Sequence, residues 1–122
     1  MYMPNYQLAQ GEEKLADLIW RYEPIKSGEL VKLCKSEIGW KKSTTYTVLK
    51  KLCNKNIFRN ENSIVSSVIK KEEFTSKQSR YFVEDTFGGS LPKFLTAFIG
   101  GEKLSDLQAE KLKKLIDEHK EE

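Results

Sequence analysis

Apolar residues along the first third of the chain recur at three- and four-residue intervals. Leu15, Leu18, Ile19 and Tyr22 form one such stripe with Trp20 beside it, which predicts a helix from about Gly11 to Tyr22 that stops before Pro24. A second stripe, Leu30, Val31 and Cys34, follows Ser27, a residue suited to capping a helix start, and closes at Gly39. A third helix is expected after Trp40, with Ser43 as its cap. Tyr46, Leu49, Leu52 and Cys53 should face inward, leaving Thr44, Thr45, Thr47, Lys50 and Lys51 outward or flanking.

At Ile57 the period changes. Ile57-Phe58-Arg59 and Ile64-Val65-Ser66-Ser67-Val68 are short β-prone runs, and Asn60-Glu61-Asn62-Ser63 between them has the composition of a hairpin turn. Three compact helices followed by a β-hairpin is the order of a winged helix-turn-helix, in which the third helix enters the major groove of DNA.

Beyond Lys70 the pattern is helical again. Phe74, Tyr81 and Phe82 lie on one side of a segment that ends at Gly88-Gly89. Ser90 should cap the next helix, with Pro92 in its first turn and Leu91, Phe94, Leu95, Phe98 and Ile99 on one face before Gly100-Gly101. The last helix opens with a capping box, Ser105 with Gln108, and carries Leu107, Leu112, Leu115 and Ile116. Three short helices in about 50 residues bury too little surface to offset chain entropy alone. They must pack on something, either the chain's own head or a second copy, and a second copy covers so long an apolar stripe more fully. The expected fold class is therefore mainly α with a small β-hairpin wing, organised as a winged-helix domain over residues 1–70 and a helical dimerisation domain over residues 71–122. The dimerisation residues would be Phe74, Tyr81, Phe82, Leu91, Phe94, Leu95, Phe98, Ile99, Leu112, Leu115 and Ile116.

Charge sharpens this picture. The formal net charge is only +3, but through Lys71 thirteen Lys/Arg stand against seven Asp/Glu, and from Glu72 onward eight stand against eleven. Lys41, Lys42, Lys50, Lys51, Lys55 and Arg59 follow one another with no acid between Gly39 and Asn60. Such a run concentrates positive potential, which attracts a phosphate backbone, although a merely solvated basic face has the same composition. A winged-helix module that binds protein in place of DNA is the other reading of this fold, and the missing acids argue against it.

The chemistry of catalysis is harder to find. The one histidine, His119, sits in a charged C-terminal stretch, where it favours a helix end over general-base work. The glycine doublets lack the Lys-Ser/Thr of a nucleotide loop, and Cys34 and Cys53 are too few and too far apart for a metal cluster. They read as small core residues. No enzyme activity, cofactor or metal is expected. No run is long and apolar enough to span a membrane, and Met1 to Gly11 lacks the pattern of a signal peptide, so the expected location is cytoplasmic.

Several segments together resemble a known family. They are Leu18-Ile19-Trp20, the stretch from Trp40 through Thr44-Thr45-Tyr46-Thr47 to Leu49-Lys50-Lys51-Leu52, the exit Asn54-Lys55-Asn56-Ile57, and Phe94-Leu95-Thr96-Ala97-Phe98-Ile99 followed by Lys103-Leu104-Ser105. In this order they resemble the penicillinase repressor (BlaI/MecI) family of winged-helix regulators over nearly the whole chain. The resemblance implies a homodimer that binds a double-stranded operator of dyad symmetry and blocks transcription, often of an antibiotic-resistance gene. It also implies that Ser43, Thr44, Thr45 and Thr47 face the bases, that Lys42, Lys50 and Lys51 hold phosphates, and that Arg59 is a wing contact. A threonine offers a hydroxyl to a base edge and a methyl to thymine, though any one of these threonines could instead cap or pack the helix. Family members that respond to β-lactams are released by proteolysis, by a membrane sensor protease, at a bond preceding a phenylalanine. The matching bond is Ala97-Phe98, with Ala97 where the family has Asn. The Cys-x-Cys pairs of copper-responsive relatives do not occur in this chain.

Overall fold

The computed structural model describes residues 6–121. Among these residues the chain forms six α-helices and one small antiparallel sheet, in the order α1 (Gln10–Tyr22), β1 (Ile25–Lys26), α2 (Ser27–Ile38), α3 (Lys42–Asn54), β2 (Phe58–Glu61), β3 (Ile64–Ser67), α4 (Lys71–Phe87), α5 (Leu91–Ile99) and α6 (Asp106–His119). The fold is the mainly helical winged helix that the pattern predicts. Its contacts divide it into two compact units, one through Tyr81 and one from Phe82.

The first unit is built around a dense core. Leu15, Ala16, Leu18 and Ile19 from α1 meet Leu30 and Cys34 from α2, Leu49 and Leu52 from α3, and Ile57, Phe58 and Val65 from the hairpin. Each of these stripes follows the helical or strand period of its own segment, so burial of one face per element accounts for the packing. Trp20 joins three elements. Its ring lies 5.0 Å from that of Phe58 and 5.4 Å from that of Phe74, and its indole N–H donates to the Ile69 carbonyl at 3.0 Å.

The hairpin turn is tight. Glu61 pairs with Ile64, so only Asn62 and Ser63 connect the strands, and both have positive φ (52° and 63°). That is the backbone of the two-residue turn whose twist matches the strands it joins, and Asn tolerates it well. A third strand escapes the periodicity: Ile25–Lys26 pairs antiparallel with Ile64 and Val65, giving the order β1-β3-β2. Two residues next to a proline carry no period to read. The Ser27 N–H donates to the Ser63 carbonyl at 2.8 Å and ties the wing to the start of α2.

Two expected caps are absent. Lys26 and Lys41 occupy the cap positions of α2 and α3, and neither cap makes a side-chain hydrogen bond. Ser27 is instead buried and accepts from the Tyr46 hydroxyl at 3.3 Å, while Ser43 stands exposed in the first turn of α3. At the other end of α2, Gly39 takes the left-handed conformation (φ 69°) that closes the helix. Asn56 (φ 61°) closes α3 in the same manner, with the Ile57 N–H reaching back to the Leu52 carbonyl and the Ile57 side chain buried.

The second unit contrasts with the first. Ser90 caps α5 by accepting from the Lys93 N–H at 3.2 Å, and Ser105 with Gln108 forms the capping box of α6. Phe82, Phe87, Phe94 and Phe98 make a chain of ring contacts with centroids 5.6–6.1 Å apart. Yet no residue of α5 or α6 is buried. Leu91, Phe98, Leu107, Leu115 and Ile116 are all more than half exposed, Phe98 reaching 72%.

Candidate nucleic-acid interface

Helix α3 presents two faces of opposite chemistry. Thr45, Leu49 and Leu52 are buried at i, i+4 and i+7, with Val48 and Cys53 half-buried beside them. The opposite side carries Ser43, Thr47, Lys50 and Asn54 at four-, three- and four-residue steps, flanked by Thr44 and Lys51, and all six are exposed. No acid lies in this helix. Its first amides have no partner within the helix, and Lys41 and Lys42 stand exposed at that end, so the start of α3 favours anions. Arg59 is exposed on β2, facing away from the core side on which Phe58 is buried.

The inner face of α3 differs from expectation at two positions. Thr45 is fully buried, so it takes no place on the outer face beside Ser43, Thr44 and Thr47. Its hydroxyl donates to the Lys41 carbonyl at 3.3 Å and hydrogen-bonds with the Cys34 thiol, which satisfies a polar group that burial would otherwise leave unpaired. Tyr46, expected inward, lies at the margin with its ring partly exposed and its hydroxyl on Ser27. Asn54 lies outside the expected contact set, yet a strict helical projection from Ser43 places it on the outer row, and Lys41 is exposed at the start of the helix. The Asn54 amide has the donor and acceptor needed to grip an adenine edge.

Lys55 also leaves the set of free cations. Its ammonium lies 2.9 Å from Glu12 Oε2 and 3.0 Å from Oε1, and this pair staples the end of α3 to the start of α1. Burial pushes the Glu12 carboxyl up. The Ala9 N–H, the Lys55 ammonium and the charge of Lys51 more than reverse this, so its pKa falls below the ordinary 4.5. Glu23 is a second such anchor. Burial raises it, but the Ser67 N–H at 2.8 Å, the Ser67 hydroxyl and Lys70 hold it below the ordinary value, locking β3 to the turn after α1. Cys34 and Cys53 are free, and burial pushes both thiols up, which keeps them protonated and unreactive at neutral pH.

The expected dimerisation residues also separate. Phe74 is 3% exposed and belongs to the core of the first unit, its ring against Trp20 and 5.7 Å from Tyr6. It has no surface left for a partner chain. Tyr81 is half-buried with its ring 6.4 Å from that of Tyr6. Phe82, Leu91, Phe98, Leu115 and Ile116 are exposed, and Phe94, Leu95, Ile99 and Leu112 are half-buried. Among the described residues there is no group of His, Cys, Asp and Glu that could hold a metal ion, and no helix is long and apolar enough to cross a membrane.

A family model described as the penicillinase repressor matches residues 8–118. The chain belongs to the penicillinase repressor family. It is 21% identical over 118 residues to the penicillinase repressor of Bacillus licheniformis, a match that covers 93% of this chain and 92% of that protein. It is 19% identical over 117 residues to the methicillin resistance regulatory protein MecI of Staphylococcus aureus strain N315, covering 93% and 95% of the two chains. The family's description and the name of the first relative are those of a repressor, and the second relative is named a regulatory protein.

Proposed function

We propose that this family member represses transcription as a homodimer that binds an operator of dyad symmetry, inserting α3 of each copy into the major groove. The carrying observation is the outer face of α3, where hydroxyls, an amide and two lysines are exposed together on a helix without acids, held over a rigid core. Ser43, Thr44, Thr47 and Asn54 read base edges, Lys42, Lys50 and Lys51 hold phosphates, and Arg59 is the wing contact. The uncovered apolar faces of α5 and α6 supply the dimer surface, since fully burying each large side chain contributes about 1.5–3 kcal/mol. Residues 1–70 serve as the reading head and residues 71–122 as the arm, with the root of α4 packed into the head.

The names of the relatives point to a β-lactam resistance gene as the controlled target. Release follows from cleavage by a membrane sensor protease at Ala97-Phe98. Both residues are exposed in the single chain, and a cut there divides the apolar stripe of α5 and so weakens the dimer. The site of action is the cytoplasm, where the operator is.

Selection of duplexes from a random pool by the purified full chain tests this reading. A consensus made of two inverted half-sites, separated by a whole number of helical turns, is the expected result. Absence of any enrichment would overturn it and favour a winged-helix module that binds protein.

A further inference from the structure

Resting on the repressor reading above, we propose that the short segment Tyr6–Leu8 is a strap that positions α3 for half-site recognition by joining its C-terminal end to the first turns of α4. Two successive main-chain carbonyls carry the strap. The Tyr6 carbonyl accepts from Gln78 Nε2 on α4 at 2.8 Å, and the Gln7 carbonyl accepts from Lys55 Nζ, one residue past α3, at 3.1 Å. The Tyr6 ring seats the segment on α4, edge-on to Phe74 and tilted on Tyr81.

Each end is fixed by more than one contact. Lys55 is held by Glu12 as well as by Gln7, so its ammonium is aimed along one line. Gln78 is half-buried, and Phe74 beneath it is locked between Trp20 and Tyr6. A cation in the acid-free stretch would ordinarily face phosphate, yet Lys55 is turned inward and its side chain is only 23% exposed. Its work is therefore positional. α4 runs unbroken from that root to Phe87, so the strap ties α3 to the helix that leads out of the head.

Spacing selectivity measures this directly. Duplexes carrying two half-sites at the selected separation, and at separations one base pair shorter or longer, are titrated with the full chain, Gln78→Ala and Gln78→Glu, alongside a duplex with a single half-site. Glu keeps the shape of Gln but its carboxylate cannot donate to the Tyr6 carbonyl. The wild-type chain is expected to prefer one separation, and both variants to lose about threefold to tenfold of that preference, the scale of one hydrogen bond. Single-half-site affinity and its salt dependence should stay unchanged. Variants with the full wild-type preference would overturn the strap, as would a loss of single-half-site binding equal to the loss on the paired site. A wild-type chain that binds none of the duplexes would overturn the repressor reading itself.

Discussion

The two units of this chain solve the same problem, an amphipathic helix with an apolar face to cover, in opposite ways. In the head, α1, α2 and α3 each find partners within the chain, and Leu15, Ile19, Leu30 and Leu52 have no exposed surface at all. In the arm, α5 has a strongly apolar face and α6 a clear stripe, yet neither contributes one buried residue. The difference teaches that burial of apolar faces within the chain is concentrated in the head. The head covers its apolar faces within one chain, whereas α5 and α6 leave theirs exposed, and on the proposed reading a second copy covers them.

Substituting a large apolar residue in each unit should expose this division most strongly. Leu52→Ala is expected to cost about 2–5 kcal/mol in urea unfolding of the head, with no dependence on protein concentration. Phe98→Asp should leave that unfolding transition in place while raising the dimer dissociation constant about 100-fold, read by sedimentation equilibrium. Equal effects of both variants on the head would erase the contrast.

Within α3 the comparison narrows to neighbouring threonines. Thr47→Ala should relax preference at one operator position by about 1–3 kcal/mol, whereas Thr45→Val should leave base preference intact and lower stability alone. Competition between matched and single-base-changed duplexes, paired with a melting curve for each variant, separates the two. A shift in base preference on changing Thr45 would place its hydroxyl at the DNA. Lys50→Ala and Lys51→Ala should act more uniformly, weakening all sequences alike and lowering the salt slope by about one per contact. An unchanged slope would remove the phosphate assignment.

The smallest effect concerns acid. Glu12 and Glu23 have carboxyls held below the ordinary 4.5, so each stabilises the fold above that pH, and the contribution drains away as pH falls through the lowered value. The urea midpoint of the wild-type head should therefore drop more between about pH 5 and pH 3 than that of Glu23→Gln. Parallel curves would show that the Ser67 contacts do not favour the ionised carboxylate.

Much of this architecture is legible in the residues because apolar positions repeat with the period of each element. The stripes of α1, α2 and α5, the hairpin, the Ser90 cap and the Ser105-Gln108 box all follow local rules. What escapes is decided by tertiary partners. Thr45 looks like a surface residue until Cys34 and the Lys41 carbonyl are seen to satisfy it, and Phe74 looks like part of the arm until Trp20 and Tyr6 enclose it. Lys55 belongs by charge to the basic run, and only the position of Glu12 turns it inward. Strand β1 is two residues long and exists because β3 lies beside it.

Sedimentation equilibrium of the full chain mixed with a duplex bearing the selected paired half-sites weighs the complex directly. Two chains per duplex, with the second bound cooperatively with the first, is the predicted result. A complex holding one chain, or free duplex beside monomeric protein at low salt, would contradict the view that an open apolar arm joins two DNA-reading heads.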